Sequence, residues 1–209
     1  MTENELYTQP DFKAIDFFCG GGGMTCGLRQ AGNENYDFDD IEVNPDWAFE
    51  DFRSTEQWTH GYHRYPAKFL PNVVKKIIED YSPANCKVIA DLFAGCGTTL
   101  VEAKVHGIKS IGTDINPVAR LITKVKTTPI DPQNLHLVYE ELIECFDGYN
   151  EADYLTIQKH ERLDYWFFPS EKAKIAFLFD AVCKLNADDN IKEFFYVCIS
   201  HILKNCSRW

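Results

Sequence analysis

Residues 87–117, KVIADLFAGCGTTLVEAKVHGIKSIGTDINP, constrain the fold of this chain more than any other stretch. A short apolar run at 88–90 leads into Asp91-Leu92-Phe93-Ala94-Gly95-Cys96-Gly97-Thr98-Thr99. A helical stretch follows, and a second apolar run ends at the acidic Asp114. Strand, glycine turn, helix, strand, acid is the order in which an α/β fold builds a pocket for a nucleoside. Glycines let the backbone approach a ligand closely, and a helix N-terminus offers free N–H groups to a carboxylate or phosphate. Asp114 is placed to accept hydrogen bonds from ribose hydroxyls, and its distance from the turn fits one β-α-β unit.

The same grammar occurs earlier. Residues 13–46, KAIDFFCGGGGMTCGLRQAGNENYDFDDIEVNPD, run through an apolar stretch, a glycine turn, a helical stretch, a second apolar stretch and the acid Glu42, followed by Asn44-Pro45. Two nucleoside-site openings therefore stand in series, and the second begins before a whole domain could have formed.

A chain of 209 residues accommodates one ordinary domain, or one domain with an appendage. Its hydrophobic fraction of 45% is ample for a core. No apolar run approaches a membrane span, and the start, MTENELYTQPDF, is unlike a signal peptide, so a cytoplasmic protein is expected. The eight cysteines (Cys19, Cys26, Cys86, Cys96, Cys145, Cys183, Cys198, Cys206) form no CxxC pair and no metal-ligand spacing, which predicts reduced thiols. His60 and His63 have no acidic or cysteine partner at ligand spacing, so no metal site is expected.

A net charge of −11 argues against a protein that coats nucleic acid nonspecifically. Basic residues nevertheless concentrate between 64 and 126: Lys68, Lys75, Lys76, Lys104, Lys109, Arg120, Lys124 and Lys126. They read either as a local basic face or as ordinary solvated helix faces.

Along the chain, 1–12 reads as a flexible start, 13–18 and 38–43 as strands, and 23–31 as a helix. The aromatic-rich stretch 47–66 shows no period and reads as an irregular connector. An amphipathic helix is predicted at 70–81, strands at 87–91 and 109–114, a helix at 117–126, a further strand near 127–131, and a helix at 133–147. After Asp164 the pattern is helical almost to the end, and the aromatic clusters at 165–168 and 194–196 read as core.

The turn and its neighbours resemble the cofactor motif of the DNA methyltransferases that methylate amino groups, making N4-methylcytosine or N6-methyladenine. That pattern is Asp-Pro-Phe-x-Gly-Ser-Gly-Thr-Thr, a helix, then Gly-x-Asp-x-Asn-Pro. Here Leu92 stands for the proline and Cys96 for the serine, and Gly112-Thr113-Asp114-Ile115-Asn116-Pro117 matches the second part. Upstream, the stretch 59–69, with Tyr65-Pro66-Ala67-Lys68-Phe69, resembles the "HPYPAKF" segment of one cytosine-N4 branch, where it lies beside the methionine end of S-adenosylmethionine. Tyr165-Trp166-Phe167 and the tail at 200–209 also resemble that branch. Over 47–209 the resemblance implies S-adenosylmethionine as cofactor. Asp91, Phe93, Ala94, Gly95, Gly97, Thr98 and Thr99 would shape its methionine side. Asp114 would hold the ribose beside Ile115 and Asn116, and 65–69 would close the pocket.

The earlier unit resembles a different class. Asp16-Phe17-Phe18-Cys19-Gly20-Gly21-Gly22-Gly23 is similar to the opening motif of the cytosine-C5 DNA methyltransferases, and Ile41-Glu42-Val43-Asn44-Pro45 to the strand that follows it. A second cofactor site is thereby implied, with Phe18 on the adenine, Gly20 and Gly22 in the turn and Glu42 on the ribose. The match ends near residue 54, and no later Pro-Cys pair supplies a C5 nucleophile.

Amino methylation needs a (Ser/Asp/Asn)-Pro-Pro-(Tyr/Trp) segment that holds the target amino group and stacks on the flipped base. No Pro-Pro dipeptide occurs in the chain, so no catalytic residue is assigned. The expectation is an α/β, Rossmann-like S-adenosylmethionine-dependent methyltransferase core with an incomplete sheet and a helical C-terminal part. It divides into a flexible start (1–12), a C5-like β-α-β fragment (13–54) and the cofactor-binding part of an amino-methyltransferase (55–209). Its place is in a restriction–modification system, acting on double-stranded DNA through a complete enzyme and most consistent with cytosine N4. The missing motif would come from a partner chain, or the chain is a fragment; a second copy, a partner or the N-terminal strands would cover the open sheet edge. The alternatives are a non-catalytic cofactor-binding or assembly module, or a relative of the C5 or N6 enzymes.

Overall fold

Two short runs containing β-branched residues, one on each side of a helix, form the sheet. In this computed structural model the described residues are 57–66, 68–155 and 160–208, all within the unit Phe49–Trp209. The predicted flexible start, the strands at 13–18 and 38–43, the helix at 23–31 and the boundary at residue 54 lie outside the described residues, as does Ala67.

Strands β1 (Val88–Asp91) and β2 (Lys109–Gly112) pair in parallel, with Val88 opposite Lys109 and Asp91 opposite Gly112. Parallel neighbours need a crossover, which helix α2 (Thr98–Val105) supplies. The predicted second strand is cut short at Gly112 because the next residue bonds to the turn. Thr113 N–H donates to Asp91 O at 2.9 Å, Ala94 N–H donates to Thr113 O at 2.9 Å, and Thr113 Oγ1 donates to Leu92 O at 2.8 Å. Gly112 lies under α2, where a Cβ would stand 2.8 Å from Leu100 Cδ1. The opposite face, with Val88, Ala90, Lys109 and Ile111, is exposed, although parallel sheets ordinarily bury both faces.

Helices α1 (Pro71–Tyr81), α3 (Pro117–Thr127), α4 (Pro132–Glu144) and α7 (Pro169–Lys184) each start on a proline, whose fixed φ suits the first turn and whose missing N–H costs nothing there. In α1, Val74 and Ile78 are buried, while Lys75–Glu79 and Lys76–Asp80 pair across one turn. No strand forms at 127–131. Thr127 closes α3, Pro129 has no N–H for a ladder, and Asp131 is already the N-cap of α4, accepting from Gln133 N–H at 3.3 Å and Asn134 N–H at 3.4 Å. Among the described residues the sheet therefore has two strands, and the architecture is mixed α/β.

The rest is helical: α4, α5 (Glu151–Leu155), α6 (Glu161–Trp166), α7 and α8 (Asp189–Ile202). Val138, Leu142, Phe177, Ala181, Val182, Ile191, Phe195 and Ile199 make the larger core, and Cys96, Ile122, Val125 and Val197 a smaller one beneath the glycine turn. Helix α8 serves both, so it ties the helical layer to the turn; each fully buried aliphatic or aromatic side chain contributes about 1.5–3 kcal/mol. The cluster at 194–196 packs as expected. The cluster at 165–168 does not: Tyr165, Trp166 and Phe168 are exposed, because the short α6 rests chiefly on α7, and Phe168 instead carries the Arg208 guanidinium 4.4 Å from its ring centre. No described helix is long and apolar enough to cross a membrane.

Candidate functional site

Asp91, the last residue of β1, turns the chain by accepting Phe93 N–H on Oδ1 at 3.0 Å. Gly95 and Gly97 then adopt φ of +50° and +81°, left-handed values that disfavour side chains. Gly97 N–H donates to Ala94 O at 2.7 Å, and Gly97 caps α2, so Thr98 and Thr99 open that helix. The acid beyond β2 closes the turn from the other side. Asp114 Oδ2 accepts Gly95 N–H at 2.9 Å and Oδ1 accepts Asn116 N–H at 2.8 Å. Asn116 in turn caps α3, its Oδ1 accepting Val118 N–H at 3.0 Å.

The segment at 59–69 lies against this turn. Tyr65 OH accepts from Asn116 Nδ2 at 3.4 Å, and its ring edge stands 3.8 Å from where a Cβ on Gly95 would be. Thr98 Oγ1 donates to Phe69 O at 3.5 Å, and Thr59 Oγ1 donates to Lys126 O at 2.9 Å. Lys68 Nζ reaches back to His60 O at 3.4 Å, and Pro66 is exposed. The far end of α8 holds the segment from outside: His63 Nε2 meets Ser200 Oγ at 3.0 Å, and Arg64 N–H donates to His201 Nδ1 at 3.2 Å. The two stretches whose resemblance favoured the cytosine-N4 branch, 59–69 and 200–208, thus touch across 137 positions.

The structure brings together Tyr65, Phe69, Asp91, Phe93, Ala94, Gly95, Gly97, Thr98, Asp114, Ile115 and Asn116. Thr99, half-buried in α2, makes no hydrogen bond to the turn among those described. Ile115, next to Asp114 in sequence, is fully exposed, and Phe93, in the glycine turn, is 81% exposed. Phe18, Gly20, Gly22 and Glu42, the second site, lie outside the described residues.

Sequence reasoning missed Thr123 and Lys126. Thr123 Oγ1 donates to Gly95 O at 3.0 Å, holding the turn onto α3. Lys126, counted with the basic residues of the surface, is buried. Their spacing of three on one helix was the available signal. Three of the other lysines are paired with carboxylates, Lys75 and Lys76 within α1 and Lys124 with Glu193, while Lys104 Nζ donates to Thr127 O. His60, read without an acidic partner, has one in Glu102 at 2.7 Å, both buried. A cleft of about 290 Å³ borders that pair, lined by Gln57, Asn72, Glu79 and His106 among others, and contains none of the predicted cofactor residues. Among the described residues no group of acids, histidines and cysteines is disposed to hold a metal, and the described cysteines are free.

A family model described as DNA methylase, of the N6/N4 class, matches residues 28–124, starting inside the earlier glycine-turn unit and running through the whole of 87–117. The type II methyltransferase M.MvaI of Kocuria varians is 33% identical over 162 residues, covering 74% of this chain and 36% of that protein. M.MjaII of Methanocaldococcus jannaschii is 38% identical over 84 residues, 40% of this chain and 16% of that protein. M.BsoBI of Geobacillus stearothermophilus is 33% identical over 90 residues, 42% of this chain and 18% of that protein. By these matches the chain is similar to DNA methyltransferases of the N6/N4 class. The matches span about a third of the first of these relatives and less than a fifth of the other two. No solved structure matches it.

Proposed function

We propose that this chain is the cofactor-binding part of a type II DNA methyltransferase of a restriction–modification system, with S-adenosylmethionine as methyl donor and the N4 amino group of cytosine as target. The carrying observation is the closure of the glycine turn by Asp114. Its carboxylate accepts one N–H from each side, and each oxygen keeps a second lone pair for a ribose hydroxyl. The residues fit the cofactor: Gly95 and Gly97 expose backbone at left-handed positions, while Ile115 and Phe93 present exposed apolar surface for an adenine. When bound, the cofactor supplies an activated methyl group on a sulfonium. The chain's own work is alignment and exclusion of water. Asp114 orients the ribose, the turn at 91–98 receives the amino-acid end, and Tyr65 and Phe69 close over it.

The Pro-Pro-aromatic segment that positions the target base must come from outside these 209 residues, from a partner chain or from further sequence. Contact with double-stranded DNA belongs to that complete assembly, consistent with the acidic charge and the internally paired lysines. The preference for cytosine N4 over adenine N6 rests on the likeness at 59–69 and 200–209. The missing motif favours one second reading, a cofactor-binding module without catalysis of its own.

Calorimetry with S-adenosylmethionine tests the reading on the wild type, Asp114→Ala and Glu42→Ala. Micromolar binding lost in Asp114→Ala and retained in Glu42→Ala is expected. No binding at millimolar ligand overturns the cofactor assignment, and the reverse pattern moves the site to the earlier glycine turn. Methyl transfer to duplex DNA by this chain alone would refute the need for a separate catalytic segment.

A further inference from the structure

Lys126 is placed where a lysine is costly. It sits in the last turn of α3 and is only 3% exposed, and among the described residues its Nζ meets no oxygen acceptor, only the weakly accepting Cys96 thiol. Lys124, two positions earlier, is exposed and paired with Glu193 at 2.6 Å. A buried ammonium without a carboxylate partner costs several kcal/mol, and an apolar side chain would fill the same place without that penalty.

Its surroundings specify what is missing. Lys126 follows Thr123 by three residues, so it shares the α3 face that carries the glycine turn, and helical side chains lean back toward the helix N-terminus. The Cys96 thiol, buried within the turn, lies beside the ammonium, and Lys68 and His63 complete the group. Burial pushes the Lys126 pKa down, Cys96 draws it up, and Lys68 pushes it down again. No carboxylate of the described residues pairs with it, although buried His60, which follows the Thr59 bonded to Lys126 O, has Glu102. A cationic cluster of this kind, at the back of a turn built to admit a ligand, is complementary to one anionic group of a small molecule.

We propose that Lys126, with Lys68 beside it, binds the carboxylate of the ligand's amino-acid moiety. The inference rests on the cofactor reading above, in which that carboxylate is the one on the methionine end of S-adenosylmethionine. Asp114, at the start of α3, takes the nucleoside end, and Lys126, near its last turn, takes the opposite end. The carboxylate supplies the anionic partner that Lys126 lacks among the described residues, so binding compensates an unfavourable buried charge by making an ion pair.

The test compares S-adenosylmethionine with its decarboxylated analogue, which keeps the nucleoside and the sulfonium. Both are titrated into the full chain and into Lys126→Met. The wild type should prefer S-adenosylmethionine by about 10–100-fold, the worth of a charge-assisted hydrogen bond. Lys126→Met should lose that preference while binding the analogue as the wild type does, and its unliganded melting temperature should not fall. Equal binding of the two ligands by the wild type overturns the inference without needing the variant. So does a Lys126→Met protein that keeps the preference, or one that weakens for both ligands alike. If the wild type binds neither ligand, the cofactor reading fails, and this inference with it.

Discussion

Thr123 fills the space beside Gly97: a Cβ at position 97 would lie 2.7 Å from both Thr123 Cγ2 and Thr123 Oγ1. The same hydroxyl donates to Gly95 O, so α3 seals the turn and fixes its shape with one side chain.

Gly97→Ala should therefore destabilise the chain by about 2–5 kcal/mol, the sum of a left-handed backbone penalty and an overpacked contact. Gly107, at φ +71° with nothing within 4 Å, suffers only the backbone term, about 1–2 kcal/mol. Urea denaturation of both variants checks the difference, and equal losses would show that Thr123 does not constrain the turn.

Glu102→Ala should cost about 3–5 kcal/mol, because it strands fully buried His60. Lys75→Ala, which removes one partner of an exposed pair, should cost less than about 1 kcal/mol. Thermal unfolding distinguishes the two, and a near-neutral Glu102→Ala would mean that solvent reaches His60.

Burial, with the charges of His201 and Lys126, holds the His63 pKa below its ordinary value of 6.5. The unfolded chain then binds a proton at this position more readily than the folded one. Stability contributed by neutral His63 is present above about pH 6.5 and declines as pH falls through the window below it. Denaturation midpoints between pH 5 and 7.5 should rise with pH in the wild type and more weakly in His63→Gln.

Asn116→Ala and Asp131→Ala each remove a helix N-cap, from α3 and α4, and each should cost about 1 kcal/mol. Only the first should also weaken S-adenosylmethionine binding, since the Asn116 side chain meets Tyr65 beside the glycine turn, whereas the backbone N–H that bonds Asp114 is kept. Titrations of the two variants under identical conditions decide whether capping and ligand binding are coupled there.

Val88 and Ile111 occupy the bare sheet face, and Leu92, Phe93 and Ile115 project from the strand ends, all substantially exposed. Exposed apolar side chains in such numbers promote association. The chain should self-associate in gel filtration with light scattering, and Val88→Glu with Ile111→Glu should shift it toward the monomer. A wild type that stays monomeric at high concentration would show that this face needs no cover.

The grammar of 87–117 was legible because it is local. Most of its parts are set by residues within one turn or strand: glycines where φ is positive, Pro117 at a helix start, Asn116 capping its own helix; the bond from Gly95 N–H to Asp114 spans one β-α-β unit. The same held for α1, whose apolar spacing gave its span to within one residue. The strand expected near 127–131 failed for a local reason too, since Pro129 and the cap at Asp131 leave no room for a ladder.

The sequence by itself determined the β-α-β unit, its glycine turn and acid, the helical C-terminal part and the absence of a Pro-Pro segment. Only the tertiary structure decided that His60 meets Glu102, that the segment at 59–69 is held by Ser200 and His201, and that Lys126 is interior. Periodicity tells which face of an element is turned inward, but the partner across that face comes from packing between residues 42 to 137 positions apart. No local pattern encodes such a pairing, and a lysine in a helix reads as solvated until the surrounding core shows that it is not.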